Sequence, residues 1–390
     1  MLVPKLIAEL SELDTWIPAW DLLAIEAGLP LMAPACVLAW WRHLAHERAA
    51  LRAIAVCEGE ETIGFAPFYA DHGAHLLRLD WRLPGIELAA GLAPLARPGR
   101  EAEVAEAIAR AMASASDHVD LVALEGMPAG APWTGALRAG WPGRLAPLGA
   151  RYLTRDCPGV SLREDSFEGW LAGKSANFRG QMRRLRRRFA EAGGVMRQSS
   201  RATLAADAEA FVRLHAGRWE GRGESQLARY GPALRGLLED LGRDLLEQRR
   251  FRLWIAELDG EAISAQLFLA AGGRALYVNG GWDERFGRFK PSMLAILAAI
   301  EQGFELGEEC LDLGVGAQDY KLRFADHTSQ VSWTVLMPPG ARMGFTLPQT
   351  AATLGASGLR GALRSRVSPG LLARYRRLRG RASGGEGADR

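Results

Sequence analysis

The sequence predicts an α/β protein assembled from two similar units, each a mixed, mostly antiparallel sheet flanked by helices. Its length of 390 residues suits two domains. The order of elements repeats: helices, a strand, a polar turn, a strand, a helix, a short strand. Val56–Gly64 (VCEGEETIG) in the first half also echoes Ala256–Ile263 (AELDGEAI) in the second. The expected division is 1–150, 151–340 and a basic, partly disordered tail over 341–390. Independent origin of the two hairpins is the plainer alternative to duplication.

The first unit opens with helical text. Leu31–Ala50 carries apolar residues at helical spacing around Trp40 and Trp41. Leu51–Cys57 and Thr62–Tyr69 read as two strands joined by the polar turn Glu58–Glu61. Glu101–Ala113 is an alanine-rich helix, and Val119–Leu124 a short buried strand. Residues 126–160 are rich in Gly and Pro and read as a linker or crossing segment.

In the second unit, Phe167–Ala192 is a long basic helix with a break near Gly173, and Thr203–Trp219 is another helix. Phe251–Leu258 and Glu261–Ala270 form a hairpin around Asp259–Gly260, a strong turn signal. Arg274–Gly281 is the next strand. A loop leads to helix Pro291–Leu306, with proline at the favoured first position. Cys310–Leu313, a helix from Asp319 and the strand Gln330–Leu336 complete the unit. From Leu359 the tail carries nine arginines against Glu386 and Asp389, with a basic amphipathic helix expected near Leu371–Leu378.

Composition excludes several classes. With 48% apolar and 24% charged residues the chain is globular, not disordered or collagen-like. No apolar run approaches the roughly 18–20 residues of a membrane span. Met1–Trp16 does not read as a signal peptide. Cys36, Cys57, Cys157 and Cys310 lie far apart without C-x-x-C spacing, so a reducing, cytoplasmic setting without zinc is expected. A net charge of +3 is too small to steer the whole protein onto nucleic acid. Of 48 basic residues only Lys5, Lys174, Lys290 and Lys321 are lysines. A GC-rich genome produces that bias, and against it a lysine marks a site suited to a compact, deprotonatable cation. No G-x-S-x-G, H-E-x-x-H or G-x-x-x-x-G-K-[ST] motif occurs.

Chemistry concentrates in Phe251–Asp326. The loop RFGRFKPS (Arg285–Ser292) opens directly onto a helix, whose N-terminal amides and dipole suit a diphosphate. Arg285, Arg288 and Lys290 add cations there, Gly287 permits close backbone approach, and Pro291–Ser292 begin the helix. An ordinary helix cap accounts for Pro291–Ser292 equally well. Further on, CLDLGVGAQDYKLRFAD puts Asp312 at a strand end, then a Gly-x-Gly turn, then Tyr320–Lys321 in a new helix.

This ordered set resembles the GNAT acyltransferase superfamily, in the branch of CelD-like acetyltransferases associated with cellulose and exopolysaccharide loci. It is similar, more distantly, to the Fem-type aminoacyltransferases of peptidoglycan synthesis. The hairpin, the loop-Pro-helix, D-x-G-x-G…Y-K-x-x-F, the basic helix Lys174–Arg188 and LHAGRW (Leu214–Trp219) carry the resemblance. It covers about Phe167–Leu336, with the first half a degenerate twin. One departure is Ser292, where the family usually has glycine.

The resemblance implies tandem GNAT-like folds and a splayed sheet that admits the pantetheine arm of acetyl-CoA or another acyl-CoA, with no metal. It implies Lys321 as oxyanion stabiliser and Tyr320 as general acid to the thiolate. Asp312 or His215 is the base, His215 being better matched to neutral pH. Acyl transfer to an amine or hydroxyl follows, with a sugar or polysaccharide precursor as acceptor in the cleft between the units. Asn279 is a candidate contact to an acceptor hydroxyl or a strand bulge. Lys174, Arg179 and Arg183 form a cationic face for a phosphorylated acceptor or tRNA, or a merely solvated face; Arg218 and Trp219 join the acceptor candidates. The plainer alternatives are a solvated Lys321, a packing Tyr320, Asp312 capping its turn, a structural His215 and a core Trp219. Two other functions stay open: an aminoacyl-tRNA-dependent transferase, and a non-catalytic accessory protein of a polysaccharide synthase complex.

Overall fold

The computed structural model describes residues 2–71, 78–85, 90–219 and 227–366. β1 (Val3–Ile7) precedes α1 (Ile17–Glu26) and α2 (Pro34–His43), each with proline in its first two positions, where a missing N–H is harmless. The helix expected over Leu31–Ala50 stops at His43, because the chain turns through His46–Ala49 and Ala50 already belongs to the sheet. β2 (Ala50–Glu58) and β3 (Glu61–Asp71) form the first hairpin. β4 (Asp80–Arg82), β5 (Leu95–Ala96), α3 (Glu101–Ser114) and β6 (Leu121–Pro128) follow.

Residues 126–160 are not a linker. They hold the end of β6, α4 (Trp133–Ala139) and β7 (Leu148–Ser161), one of the longest strands. The first nine residues of β7 are exposed or half-buried, so its text lacks the apolar alternation that marks a strand.

The second half begins with α5 (Phe167–Gly173) and α6 (Ala176–Glu191). Ser166 and Ser175 cap them, accepting from the amides of Gly169 and Phe178, which fixes the break near Gly173. β8 (Val195–Gln198), α7 (Leu204–Trp219) and α8 (Pro232–Leu245) come next. β9 (Phe251–Leu258) and β10 (Glu261–Ala271) turn through Asp259 and Gly260, whose φ values of 52° and 77° are those of a tight hairpin turn. β11 (Arg274–Trp282), α9 (Pro291–Glu305), β12 (Cys310–Asp312), α10 (Asp319–Leu322) and β13 (His327–Met337) complete the compact unit Met1–Pro339. Gly340–Arg390 forms a separate unit whose described part is α11 (Met343–Arg366). The tail helix expected near residues 371–378 lies outside the described residues.

The strands make one sheet in the order β1-β2-β3-β4-β6-β13-β7-β12-β11-β10-β9-β8, with β5 beside β3. Read outward from its centre, the sheet repeats itself. β1-β2-β3-β4 and β8-β9-β10-β11 are antiparallel runs. Each is followed by a parallel pair, β4–β6 or β11–β12. The closing strands are exchanged: β7, from the first half, lies beside β12, and β13, from the second, lies beside β6. β7 and β13 then pair with each other over their whole length, from His327↔Gly159 to Met337↔Leu148. The fold is therefore α/β, two similar sheets in tandem, mostly antiparallel and flanked by helices.

On the second half, alternate residues of each strand feed two cores. Phe268, Ala270, Ala275 and Tyr277 pack under α6 and α9. Leu267, Leu269 and Val278 pack under α7 and α8, joined by Cys36 and Ala39 of α2.

Candidate active site

The site lies where β11 and β12 part. Their parallel pairing covers only Arg274–Leu276 against Cys310–Asp312. At the next residues the backbones still touch, since a Cβ on Gly314 would stand 2.7 Å from the Tyr277 carbonyl oxygen. Beyond that point β11 stays with β10 as far as Ser264↔Trp282. The chain after β12 instead follows β7, Leu313 and Gly316 donating to the carbonyls of Pro158 and Asp156. Val278, just past the fork, is a bulge: β10 pairs Phe268 with Tyr277 and Leu267 with Asn279, leaving Val278 unmatched.

Lys321 stands at this fork. Only 5% exposed, its ammonium donates to the Val315 and Gly314 carbonyls at 3.0 and 3.4 Å and sits 5.6 Å from the centre of the Tyr277 ring. Burial pushes its pKa down to about 8, with the Asp312 carboxylate opposing that shift. Asp312 accepts from the Gly314 amide at 2.7 Å and so closes the Gly-x-Gly turn; burial raises its carboxyl above the usual range. Tyr320, half-buried, is hydrogen-bonded to Tyr277, and burial raises its phenol.

Behind this pair lies a polar chain that the sequence reading did not pick out. Tyr277 Oη donates to Gln266 Oε1 at 2.8 Å, and Gln266 Nε2 donates to Ser264 Oγ and to the Gly281 carbonyl, both at 2.9 Å. Ser264 and Gln266, at i and i+2 in an otherwise apolar strand, were the available signal. The glycines of YVNGG have steric reasons. A Cβ on Gly280 would lie 2.0 Å from Gln266 Oε1, and one on Gly281 2.3 Å from the α7 backbone.

His215 of α7 is 1% exposed, stacked on Phe211 at 5.9 Å. Its Nδ1 lies 3.2 Å from the Gly280 carbonyl, which places the proton on Nδ1 and the lone pair on Nε2. Burial lowers its pKa, so the ring is neutral near pH 7. Arg218, one turn on, is half-buried and acts on Lys321, Tyr320 and His215 through its charge. Trp219 ends α7, and its side chain lies outside the described residues. Asn279 accepts from its neighbour's amide, Gly280 N, at 2.8 Å.

The start of α9 forms the second part of the site. Lys290 precedes it in the left-handed region (φ 49°), and no side chain caps the helix. Ser292 does not act as a cap: its Oγ is buried without a hydrogen-bond partner. Arg288 and Lys290 are exposed and make no ion pair among the described residues, whereas Arg285 is gripped by Asp283 at 2.6 Å and reached by Glu261. Gly287 packs against Trp282, 3.1 Å from where a Cβ would stand.

The structure does not bring Lys174 or Arg179 to a phosphate-binding face. Lys174 donates to the Phe324 carbonyl at 2.6 Å and lies over the Trp170 ring, pinning the turn after α10. Arg179 donates to the Ala172 and Lys174 carbonyls, closing the end of α5. Unpaired carbonyls at a helix end attract the same cations as a phosphate, which is why the text read otherwise. Arg183 remains exposed. Among the described residues no His, Cys, Asp and Glu side chains are grouped to hold a metal ion, and no helix is long and apolar enough to cross a membrane.

Comparison with known proteins matches residues 176–322 to the family described as Acetyltransferase (GNAT) domain, from the first residue of α6 to the last of α10. No curated protein sequence matches the chain. Among solved structures, FemX superposes with a TM-score of 0.56 at 12% identity, covering 81% of this chain and 95% of its own. The C-terminal domain assigned to a lysylphosphatidylglycerol synthetase of Agrobacterium fabrum gives 0.52 at 12% identity, over 87% and 96%. A Bacteroides thetaiotaomicron protein of unknown function gives 0.51 at 10% identity, over 85% and 99%. Those identities speak to fold alone. Residues 176–322, which hold the fork, Lys321 and the start of α9, thus match a GNAT acetyltransferase domain within a longer α/β chain.

Proposed function

We propose that the chain transfers an acyl group from an acyl-CoA to an amine or hydroxyl, with the C-terminal half as the active unit and the N-terminal half as support. The observation that carries this reading is the fork between β11 and β12 with a buried lysine at its base. A diphosphate fits at the start of α9, beside Arg288, Lys290 and the unpartnered Ser292 hydroxyl. The pantetheine arm then runs into the fork and brings the thioester to Val278, whose amide is outside the β10 register.

In this reading neutral His215, oriented by the Gly280 carbonyl, is the base toward the attacking amine or hydroxyl. The nucleophile bonds to the carbonyl carbon, and Lys321 stabilises the oxyanion that forms. As that intermediate collapses, the carbon–sulfur bond breaks and Tyr320 gives the departing thiolate its proton. Asp312 shapes the turn that presents Lys321 and balances its charge. Isothermal calorimetry with acetyl-CoA tests the donor: binding in the micromolar to millimolar range is expected, and no heat at millimolar ligand overturns the assignment.

A second reading keeps the fold and changes the donor to an aminoacyl-tRNA. Its support is the FemX-like fold together with exposed Arg183, Arg184 and Arg188 on one stretch of α6. It requires tRNA binding that weakens steeply with salt and with loss of those arginines. A sugar or polysaccharide-precursor acceptor rests on the resemblance to the CelD-like branch.

A further inference from the structure

On the face of the sheet opposite Lys321 lies a chamber with no role in the reaction as described above. Its walls come from both halves: Val37 of α2, Phe211 of α7, Leu237 and Leu241 of α8, Leu267 of β10 and Val278 of β11. The Trp40 indole, which donates to the Gly85 carbonyl at 3.1 Å, holds another side in place. The lining offers almost no polar surface, and its one sulfur, Cys36, is kept a neutral thiol by burial. Nothing in it would recognise a sugar, an amine or a phosphate. Apolar cavities of this kind are filled by apolar groups or stay dry.

The position of Val278 says which apolar group. Val278 is the bulged residue at the fork, its side chain in the chamber wall, and in the acyl-CoA reading above its amide meets the thioester. Tyr277, one residue earlier, points to the other face, toward Lys321. His215 connects the two sides, holding Gly280 while stacking on Phe211 of the chamber wall. A chain attached to a carbonyl at Val278 passes through the fork and has the chamber directly ahead of it.

We propose that this chamber receives the hydrocarbon chain of the donor, so that the transferred group is an acyl chain longer than acetyl. This rests on the acyl-CoA reading above and deepens it.

Calorimetry across acetyl-, butyryl-, hexanoyl- and octanoyl-CoA tests it on the wild-type protein. Burial of each methylene should tighten binding roughly fourfold until the chamber is full, so butyryl-CoA should bind about sixteenfold tighter than acetyl-CoA. Val37→Phe, or Leu31→Phe at the rim should the first variant not fold, should bring the butyryl-to-acetyl ratio back toward one. Equal affinities across the series overturn the chamber's assignment and leave the donor reading standing. No binding of any acyl-CoA overturns both. A length dependence seen with alkylamines from butylamine to octylamine, and not with the acyl-CoAs, hands the chamber to the acceptor and also overturns the inference.

Discussion

The two halves share a strand order and differ at the place where each sheet forks. In the second half, β11 and β12 separate around a lysine, and α9 begins with Pro291 and Ser292 without an acid in its first turn. In the first half the equivalent helix, α3, begins with Glu101 and Glu103; Glu101 accepts from the Gly99 amide, and Arg100 is held by Glu58 and Glu103. Carboxylates at a helix start suit the helix and repel a diphosphate. The first fork is also closed. Gly91 and Leu92 both donate to the Gly126 carbonyl, and Asp80 binds Arg78 and Arg82, while Arg82 reaches Glu125 and Tyr152 donates to Glu125 at 2.6 Å. The same topology therefore serves as a scaffold or as a site, depending on which side chains stand at one helix start and one fork.

Four substitutions or titrations sharpen that contrast. Lys321→Ala should have the largest effect, lowering the transfer rate by about 10²–10³-fold, the usual loss for an oxyanion-stabilising donor. A steady-state assay that finds less than a threefold loss removes Lys321 from the chemistry. Asp80→Ala acts on the other fork. It leaves buried Arg78 and half-buried Arg82 without the carboxylate they share and should cost about 3 kcal/mol in urea unfolding, with the rate per folded molecule unchanged.

Lys321 should also make stability depend on pH. Its folded pKa of about 8 lies below its ordinary 10.5, so between those values the unfolded chain binds more protons than the folded one. Stability should therefore rise with pH across that window, by up to ~3 kcal/mol, and Lys321→Met should abolish the rise. The first half has only Lys5 and no counterpart to this effect. The smallest change is Ser292→Glu, which copies the acid of α3 onto α9. Acyl-CoA affinity should fall about tenfold, while the helix gains ~0.3–1 kcal/mol; parallel calorimetry and melting curves read the two opposite signs.

Much of this fold was legible in the text. Asp259–Gly260 and Pro291 are local signals, and each marked its element within a residue or two. The fork was not legible, since it depends on where β12 leaves β11 to follow β7, a partner about 150 residues earlier. β7 itself was read as a linker because its exposed Thr154, Arg155 and Asp156 carry no buried face. At the site, Lys321, Tyr320 and Asp312 were named and do stand together, as the short spacing of their motif allows. Gln266 escaped notice, because a hydrogen bond across strands leaves no mark in the composition of either strand, whereas the bulge expected as one reading of Asn279 lies next to it, at Val278. Lys174 and Arg179 show the converse: conspicuous cations whose partners are backbone carbonyls.

The exchange of β7 and β13 bears on how such a chain persists. Each half lends its last strand to the other, so a break between residues 161 and 167 gives two fragments, one lacking β13 and the other β7. Neither fragment has a finished border; each exposes a raw strand edge that seeks any partner, including another copy of itself. The first half is thus structurally indispensable to the second, and its deletion would strip β12 and β13 of their shared neighbour.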